Sequence, residues 1–280
     1  MTKLFGSGRT QNRLPQYLAL LLVAGLVIIP LYATAVGGLK SVGELRTNPF
    51  GLPSTWIWRN YWNVLADPQL WQLLFNSALI AGVSVVLTLL LASMSAFVFA
   101  QITFFGSRML LSYIMLGMMF PAATAILPLF IKIRDFGLLD SAWGVILPQV
   151  AFGLGFSVVL LRGFFKQLPA ELWEAARMDR CSYARFYWSI TLPLSRPILA
   201  TVAVFTLVSS WNNYLLPLVV LNREDAYTWP LGIMRFQGQY STDWPLVLAF
   251  ITVTILPAII FFLLAQKHIV AGLTGGAVKG

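Results

Sequence analysis

The sequence predicts an all-α membrane protein with six transmembrane helices. Hydrophobic residues make up 58% of the 280-residue chain and charged residues only 10%, whereas roughly a quarter of a soluble domain is charged. A spanning helix needs about 20 mostly apolar residues, and in lipid its backbone groups must be satisfied internally. Six apolar segments meet this requirement, at residues 17–36, 77–100, 109–131, 143–161, 198–220 and 245–265.

The first segment has two interpretations. Lys3, Arg9 and Arg13 precede it, and residues 33–35 resemble the cleavage site of a secretory signal. Its apolar run of about 20 residues is long for the core of a signal, which favours a retained helix. Prolines inside the later segments predict kinks or breaks, either tolerated or lining a pathway. They are Pro121, Pro128, Pro148, Pro217 and Pro257.

The distribution of basic residues predicts the orientation of the chain. With six spans, residues 1–16, 101–108, 162–197 and 266–280 lie on one side and carry twelve of the 19 lysines and arginines. Basic residues favour the cytoplasmic side. We therefore expect a cytoplasmic amino terminus at 1–16, a transmembrane domain at 17–265 and a cytoplasmic tail at 266–280.

The same six segments contain no Asp, Glu, Lys, Arg or His. Proton-driven transporters usually need ionisable relays within the membrane, and a membrane enzyme needs a nucleophile, a base or a metal site, so both classes are disfavoured. The chain has one cysteine, Cys181, and one histidine, His268, which are too few for a metal cluster. It also lacks the Gly-x-x-x-x-Gly-Lys-Ser/Thr motif of an ATP site. Energy for any transport should therefore come from another chain.

A polar stretch at 168–193 separates the fourth and fifth segments. Pro169 suits the first position of a helix, and the two glutamates that follow suit its first turns, where the helix dipole favours negative charge. Ser182 predicts the N-cap of a second helix, which Pro193 is expected to end. Alanines on one side and aromatic residues on the other suit docking onto a soluble partner. The alternative is an amphipathic connector at the membrane surface.

The spacing within this stretch resembles the EAA loop of bacterial ABC importer permeases. That pattern reads Glu-Ala-Ala, three residues, Gly, nine residues and Ile-x-Leu-Pro, and here it begins at Glu174 and ends at Pro193. The resemblance implies a coupling helix that docks in a cleft of a cytoplasmic ATPase, with Glu174 as the charged contact and Ala175 and Ala176 as close-packed ones. The coupling residues that it implies are Glu171, Glu174, Ala175, Ala176, Asp179, Arg180, Phe186, Ile190, Leu192 and Pro193.

The sequence departs from this pattern at Arg180, which stands where the family has glycine. Glycine would permit a left-handed turn between the two helices, and another residue pays about 1 kcal/mol for that conformation. Either the turn differs, or Arg180 makes a compensating contact with Asp179, Glu174 or the ATPase.

Further segments resemble the carbohydrate-type permeases of the same group. The run "SSWNNYLLPLVVL" at 209–221 is similar to their fifth-helix signature, and "GLTGGAVKG" at 272–280 resembles the ending of the maltose-transporter-like second permease. The resemblance covers nearly the whole chain and implies a type I ABC importer permease fold in a bacterial inner membrane. It implies membrane lipid and three protein partners: a second homologous permease subunit, an ATPase dimer that binds ATP and Mg²⁺, and an extracytoplasmic substrate-binding protein. No cofactor and no nucleic acid are expected on this chain.

Four residues inside the fifth segment are candidates for the solute pathway: Trp211, Asn212, Asn213 and Tyr214. Their amides and rings suit sugar hydroxyls and C–H faces, and the alternative is that they hydrogen-bond neighbouring helices.

The glycine-rich tail is expected either to fray or, as the resemblance suggests, to reach the ATPase. The tail residues concerned are Thr274, Gly275, Gly276 and Lys279.

Together these observations predict the permease subunit of a binding-protein-dependent ABC importer for a sugar or related polyol, coupled to a separate ATPase through residues 171–193 and not itself an enzyme. Two alternatives stay open. One is an importer permease for a non-sugar solute. The other is an ATP-independent membrane facilitator, which predicts no stable ATPase partner.

Overall fold

The computed structural model describes residues 14–238 and 241–274. The chain divides into two compact units, Met1–Ala66 with Phe236–Val253 and Asp67–Arg235 with Thr254–Gly280. The α-helices in chain order are α1 (Leu14–Gly37), α2 (Val42–Thr47), α3 (Arg59–Ala66), α4 (Pro68–Gln101), α5 (Ser107–Met118), α6 (Ile126–Asp135), α7 (Ala142–Phe165), α8 (Ala170–Met178), α9 (Tyr183–Phe186), α10 (Leu192–Leu194), α11 (Arg196–Trp211), α12 (Leu215–Val220) and α13 (Trp244–Thr274).

These helices confirm the predicted all-α membrane architecture. Four of them, α1, α4, α7 and α13, contain apolar stretches long enough to cross a bilayer. Two bent pairs, Ser107–Met118 with Ala122–Asp135 and Tyr183–Leu194 with Arg196–Trp211, would raise the number of spans to six.

Two of the predicted segments are broken helices. In segment 109–131, a 3₁₀ turn over Ala122–Ala125 separates α5 from α6, and the two parts meet at 87°. Pro121 explains the break, because it has no N–H to donate and disfavours the helical conformation of the residue before it. Segment 198–220 divides into α11 and α12 at residues 212–214.

In the larger unit, α4 packs against both α7 and α11. Its buried face repeats at every third or fourth residue, and most of the side chains on that face are small. Small residues let helix backbones approach closely, which is how helices associate within lipid. The small residues of this face are Ser77, Ala81, Ser84, Thr88, Ala92, Ser93 and Ala96.

The carboxyl ends of α4 and α7 cap each other. Arg162 Nε on α7 donates to the carbonyl of Phe99 on α4 at 3.1 Å. Gln101 Nε2 on α4 donates in return to the carbonyl of Phe165 on α7 at 3.3 Å. Because the last carbonyls of a helix have no partner within the helix, this exchange satisfies two of them and fixes the two ends together.

In the smaller unit, a buried lysine organises the segment after α1. Lys40 is fully buried, and its Nζ donates to the carbonyl of Asn48 at 2.6 Å, just beyond α2. Asn60 Nδ2 donates to the carbonyl of Gly38 at 3.0 Å. Gly38 is required by space as well, since a Cβ there would lie 2.9 Å from the Ala249 backbone.

The connection between α6 and α7 is held by a carboxylate. Asp140 has a left-handed backbone (φ 56°), and its Oδ1 accepts hydrogen bonds from the N–H groups of Asn222 and Arg223, the latter at 2.9 Å. These two backbone donors hold the pKa of Asp140 below its usual value.

The helices α6 and α8 end in the same backbone motif. After α6, the Gly137 N–H donates to the carbonyl of Arg134 and the Leu138 N–H to that of Ile133, both at 2.9 Å. After α8, the Arg180 N–H donates to Arg177 at 3.0 Å and the Cys181 N–H to Ala176 at 2.8 Å. Both turns are Schellman motifs. Their left-handed residues are Gly137 (φ 67°) and Arg180 (φ 54°).

The two caps give a matched prediction. Gly137→Ala should lower the free energy of unfolding by about 1 kcal/mol, because only the left-handed backbone penalises its Cβ and no neighbour lies within 4 Å of it. Arg180→Gly should raise that free energy by a similar amount, and Arg180→Ala should leave it nearly unchanged. Denaturant unfolding of the purified protein in detergent checks all three. Equal stabilities for Arg180→Gly and Arg180→Ala would contradict the strain assigned to this turn.

Asp140 predicts a pH-dependent contribution to stability. Its folded pKa lies below the unfolded value of about 3.9. The contribution is therefore present above about pH 4 and lost as the pH falls through the folded pKa. Asp140→Asn should flatten this part of the pH profile. The midpoint of unfolding is measured from pH 3 to pH 7 for the wild type and for Asp140→Asn. If the two profiles have the same shape at low pH, the contribution of Asp140 is refuted.

Candidate functional site

The polar stretch folds as the predicted helix–turn–helix. Pro169 is the N-cap of α8, and Glu171 lies in its first turn. Ser182 is the N-cap of α9, where its Oγ accepts a hydrogen bond from the Arg185 N–H at 3.3 Å. We call residues 168–195 the docking loop.

The second half of the docking loop is one continuous helical segment. After α9, a π-helical turn over Tyr187–Thr191 leads directly into α10, which ends at Leu194. The predicted end at Pro193 is therefore correct to within one residue. Because Pro193 has no N–H to donate, a carbonyl of the preceding turn lacks its helical donor, and that turn is the π-helical one. The chain turns at Ser195, and α11 leaves at 78°.

One face of the docking loop packs into the chain itself. Ala176, Phe186 and Tyr187 are each buried and belong to the same apolar cluster as Phe97 of α4 and Phe165 of α7. This cluster lies beside the carbonyls through which the ends of α4 and α7 cap each other. The loop therefore has a hydrophobic attachment to the two helices.

Ring contacts and a hydrogen bond reinforce the attachment. The Phe97 ring of α4 lies beside Tyr187, with centroids 5.3 Å apart, and beside Phe186 at 6.2 Å. Within the loop, the Trp173 ring stacks on Tyr183 with centroids 4.4 Å apart. The Tyr187 hydroxyl lies 2.7 Å from the Oγ of Ser93 on α4. Close packing of this kind transmits displacement, because dense interiors are hardly compressible.

The opposite face of the docking loop is open and mixes charged with apolar side chains. Its exposed residues include Glu171, Glu174, Ala175, Met178, Asp179, Arg180, Tyr183 and Trp188. The small side chain of Ala175 leaves room for the backbone of another protein. The carboxylates of Glu171 and Glu174 beside it offer negative charge to that protein.

Two expectations about this surface need correction. The sequence places Ala176 beside Ala175 as a contact for a partner, whereas the structure buries Ala176 with Leu172 on the inner face. Helical periodicity explains this, because residues four apart share a face and adjacent residues do not. The sequence also places aromatic residues on the docking surface. Phe186 and Tyr187 instead point inward, whereas Tyr183 is exposed.

The end of the motif lies between the two faces. Ile190 and Leu192 are half-buried and pack against the apolar cluster. Pro193 is exposed. This part of the motif therefore holds the loop in place more than it offers a contact surface.

The Arg180 turn takes the left-handed form that glycine would permit. The first alternative for this residue, a different turn, is therefore wrong. Within the described part of the chain, Arg180 forms no ion pair with Asp179 or Glu174. The compensating contact within this chain that the sequence suggested is therefore not observed.

A cavity of about 470 Å³ lies in the larger unit between α7 and α11, with further residues from α4, α6 and α12. Its volume is typical of sites for small molecules. Phe152, Phe156 and Phe205 give it aromatic walls, and Phe156 and Phe205 meet edge to face at 5.7 Å. Among the described residues that line it, none is charged.

The four pathway candidates are dispersed by the structure. Asn213 lines the cavity. Trp211 is buried outside it, where its Nε1 donates to the Thr254 carbonyl at 3.3 Å and its own carbonyl accepts from Trp229 Nε1 at 2.7 Å. Asn212 and Tyr214 are exposed. Trp211 therefore has the helix-bridging contacts of the alternative interpretation.

Sequence reasoning missed Gln149, which lines the cavity from α7. Its Oε1 accepts a hydrogen bond from Ser210 Oγ at 2.6 Å. The available signal was a single amide in the apolar run "WGVILPQVAFGLGFSVVLL", since buried amides need partners.

The predicted tail contacts fall at the edge of the described chain. Thr274 is the last residue of α13, and Gly275, Gly276 and Lys279 lie outside the described residues. Within residues 14–238 and 241–274, no group of three or more His, Cys, Asp or Glu side chains is placed to hold a metal ion.

Comparison with known proteins identifies the family. A family model described as "binding-protein-dependent transport system inner membrane component" matches residues 88–275. The diacetylchitobiose uptake system permease protein of Streptomyces coelicolor is 32% identical over 93% of this chain and 87% of its own length. The trehalose transport system permease protein of Mycobacterium tuberculosis is 33% identical over 92% of this chain and 95% of its own length.

A solved structure has the same fold. It is a chain of a bacterial ABC transporter involved in the import of the acidic polysaccharide alginate, and it aligns over 96% of this chain and 100% of its own with a TM-score of 0.80 and 24% identity. From these matches and the apolar helices, the chain belongs to the family of binding-protein-dependent transport system inner membrane components and is a multi-pass permease subunit, not an enzyme.

Proposed function

We propose that this chain pairs with a second permease subunit and carries a sugar or related polyol into the cytoplasm, driven by a separate ATPase dimer that binds ATP and Mg²⁺. The observation that carries the proposal is the two-faced docking loop. Its outer face offers Glu174 and Ala175, while its inner face is attached to α4 and α7. An extracytoplasmic substrate-binding protein would deliver the solute, in keeping with the family's description.

The docking loop supplies a mechanism for coupling. Closure of the ATPase dimer on ATP would displace the loop, and its aromatic attachment would pass the displacement to α4 and α7. The cavity between α7 and α11 would then change its accessibility from one side of the membrane to the other. An ATPase can drive this change only if it binds the two states of the loop with different free energies.

The relatives and the cavity both support a sugar as the solute. Two relatives are named for transport of diacetylchitobiose and trehalose. The cavity combines hydroxyl and amide groups with phenyl rings, and such surfaces match the hydroxyls and the C–H faces of saccharides.

The proposal places both termini and the docking loop in the cytoplasm, because the loops on that side carry most of the basic residues. Removing the one native cysteine with Cys181→Ser allows a test. In that background, a membrane-impermeant maleimide added to intact spheroplasts should label Thr55→Cys, and it should label Gln167→Cys only after permeabilisation. Both positions are exposed. The reverse labelling pattern would contradict the orientation.

The function itself is tested by isolating the chain from its native membrane in mild detergent. A second permease and an ATPase should co-purify in roughly a 1:1:2 ratio, and the reconstituted complex should hydrolyse ATP faster when loaded binding protein is present. Glu174→Arg should reduce ATPase recovery by about 100-fold, because like charges or an unpaired charge at an interface cost several kcal/mol.

The matched control is Glu224→Arg, an exposed acid outside the docking loop, which should leave recovery unchanged. Isolation of the chain alone, with solute uptake that is independent of ATP, would replace this proposal with the facilitator. Full ATPase recovery and normal stimulation in Glu174→Arg would remove the coupling role of the loop.

A further inference from the structure

We infer that Gln149 selects an uncharged saccharide in the cavity, by donating a hydrogen bond from Nε2 to a sugar oxygen, and that Ser210 orients the amide for this contact. The inference rests on the proposed transport function and names a specificity-determining residue within it.

The orientation of the amide follows from its one hydrogen bond. Ser210 Oγ lies 2.6 Å from Gln149 Oε1, and because that oxygen has no hydrogen to give, the serine hydroxyl is the donor. With Oε1 paired in this way, Nε2 is the remaining group of the amide. Ser210 is thus a positioning residue for Gln149.

The donor that remains has no partner. Gln149 Nε2 is shielded from solvent at the cavity wall and forms no hydrogen bond within the described residues. The Oγ of Ser84 on α4, which also lines the cavity, is likewise buried without a partner. Buried polar groups in native proteins are nearly always paired, and each exception needs an explanation. Two unpaired groups on residues that line one cavity point to a ligand with oxygen atoms.

The lining also indicates the charge of that ligand. No charged side chain of the described residues faces the cavity, and a carboxylate moved into such surroundings would be unpaired at high cost. Phe152, Phe156 and Phe205 instead offer flat apolar faces. A neutral saccharide satisfies both conditions, with hydroxyls for Gln149 and C–H faces for the rings. An acidic sugar does not.

The test uses the complete complex in proteoliposomes, with ATP-driven uptake of radiolabelled trehalose, N,N′-diacetylchitobiose and an alginate-derived diuronate as probes. The wild type should take up at least one neutral probe and exclude the diuronate. Gln149→Leu should raise the KM for the neutral probe about tenfold, the size of one lost hydrogen bond. Ser210→Ala should raise the KM about threefold with little change in kcat, and Ser210→Thr, which keeps the hydroxyl, should restore it.

The matched control is Ser95→Ala. Ser95 lies on α4 outside the cavity, and its Oγ donates to the Leu91 carbonyl at 2.8 Å, so the KM of this variant should stay within about twofold of the wild type. An unchanged KM in Gln149→Leu would overturn the assignment and indicate that Nε2 is satisfied internally or by water.

Two wild-type results would also overturn it: uptake of the diuronate in preference to the neutral probes, and coupled ATP hydrolysis without uptake of any neutral probe. Failure of the proposed function is distinguishable from these, because it would show as a chain that recovers no ATPase and hydrolyses no ATP.

Discussion

The close approach of α4 to α7 is the constraint on which the rest of the larger unit depends. Lipid supplies no hydrophobic force between helices, so their association relies on packing and on shared hydrogen bonds. The small side chains of α4 allow the approach, and the reciprocal bonds of Arg162 and Gln101 fix one end of the pair. The docking loop attaches at this same end, and the cavity takes part of its wall from each helix.

The docking loop joins two kinds of surface that the proposed coupling requires. Its inner face is aromatic and closely packed, as in a protein core, and its outer face carries exposed acidic groups and Ala175. A loop without the inner attachment could bind an ATPase without moving a helix. A loop without the outer face could not receive a partner. In the proposed mechanism, Phe186 and Glu174 act from opposite sides of the same short element.

The turn inside this loop shows how backbone geometry can be kept against the local preference of a residue. Arg180 and Gly137 occupy equivalent places in the same capping motif, although an arginine is strained there and a glycine is not. Hydrogen bonds from two successive N–H groups and burial of Ala176 outweigh that strain. The turn between α8 and α9 consequently keeps its left-handed form although its residue is an arginine.

The sequence by itself determined the positions of the apolar segments, the proline break in the third segment, the Ser182 cap and the permease family. These depend on composition, short spacing and local backbone rules. Only the tertiary structure decided that Ala176 faces inward, that Trp211 bridges helices and that Gln149 lines the cavity. The reason is that each of these depends on partners far along the chain: Tyr187 meets Ser93 across 94 residues, and Ser210 meets Gln149 across 61. Periodicity gives the faces of a helix, but distant packing chooses which of them is buried.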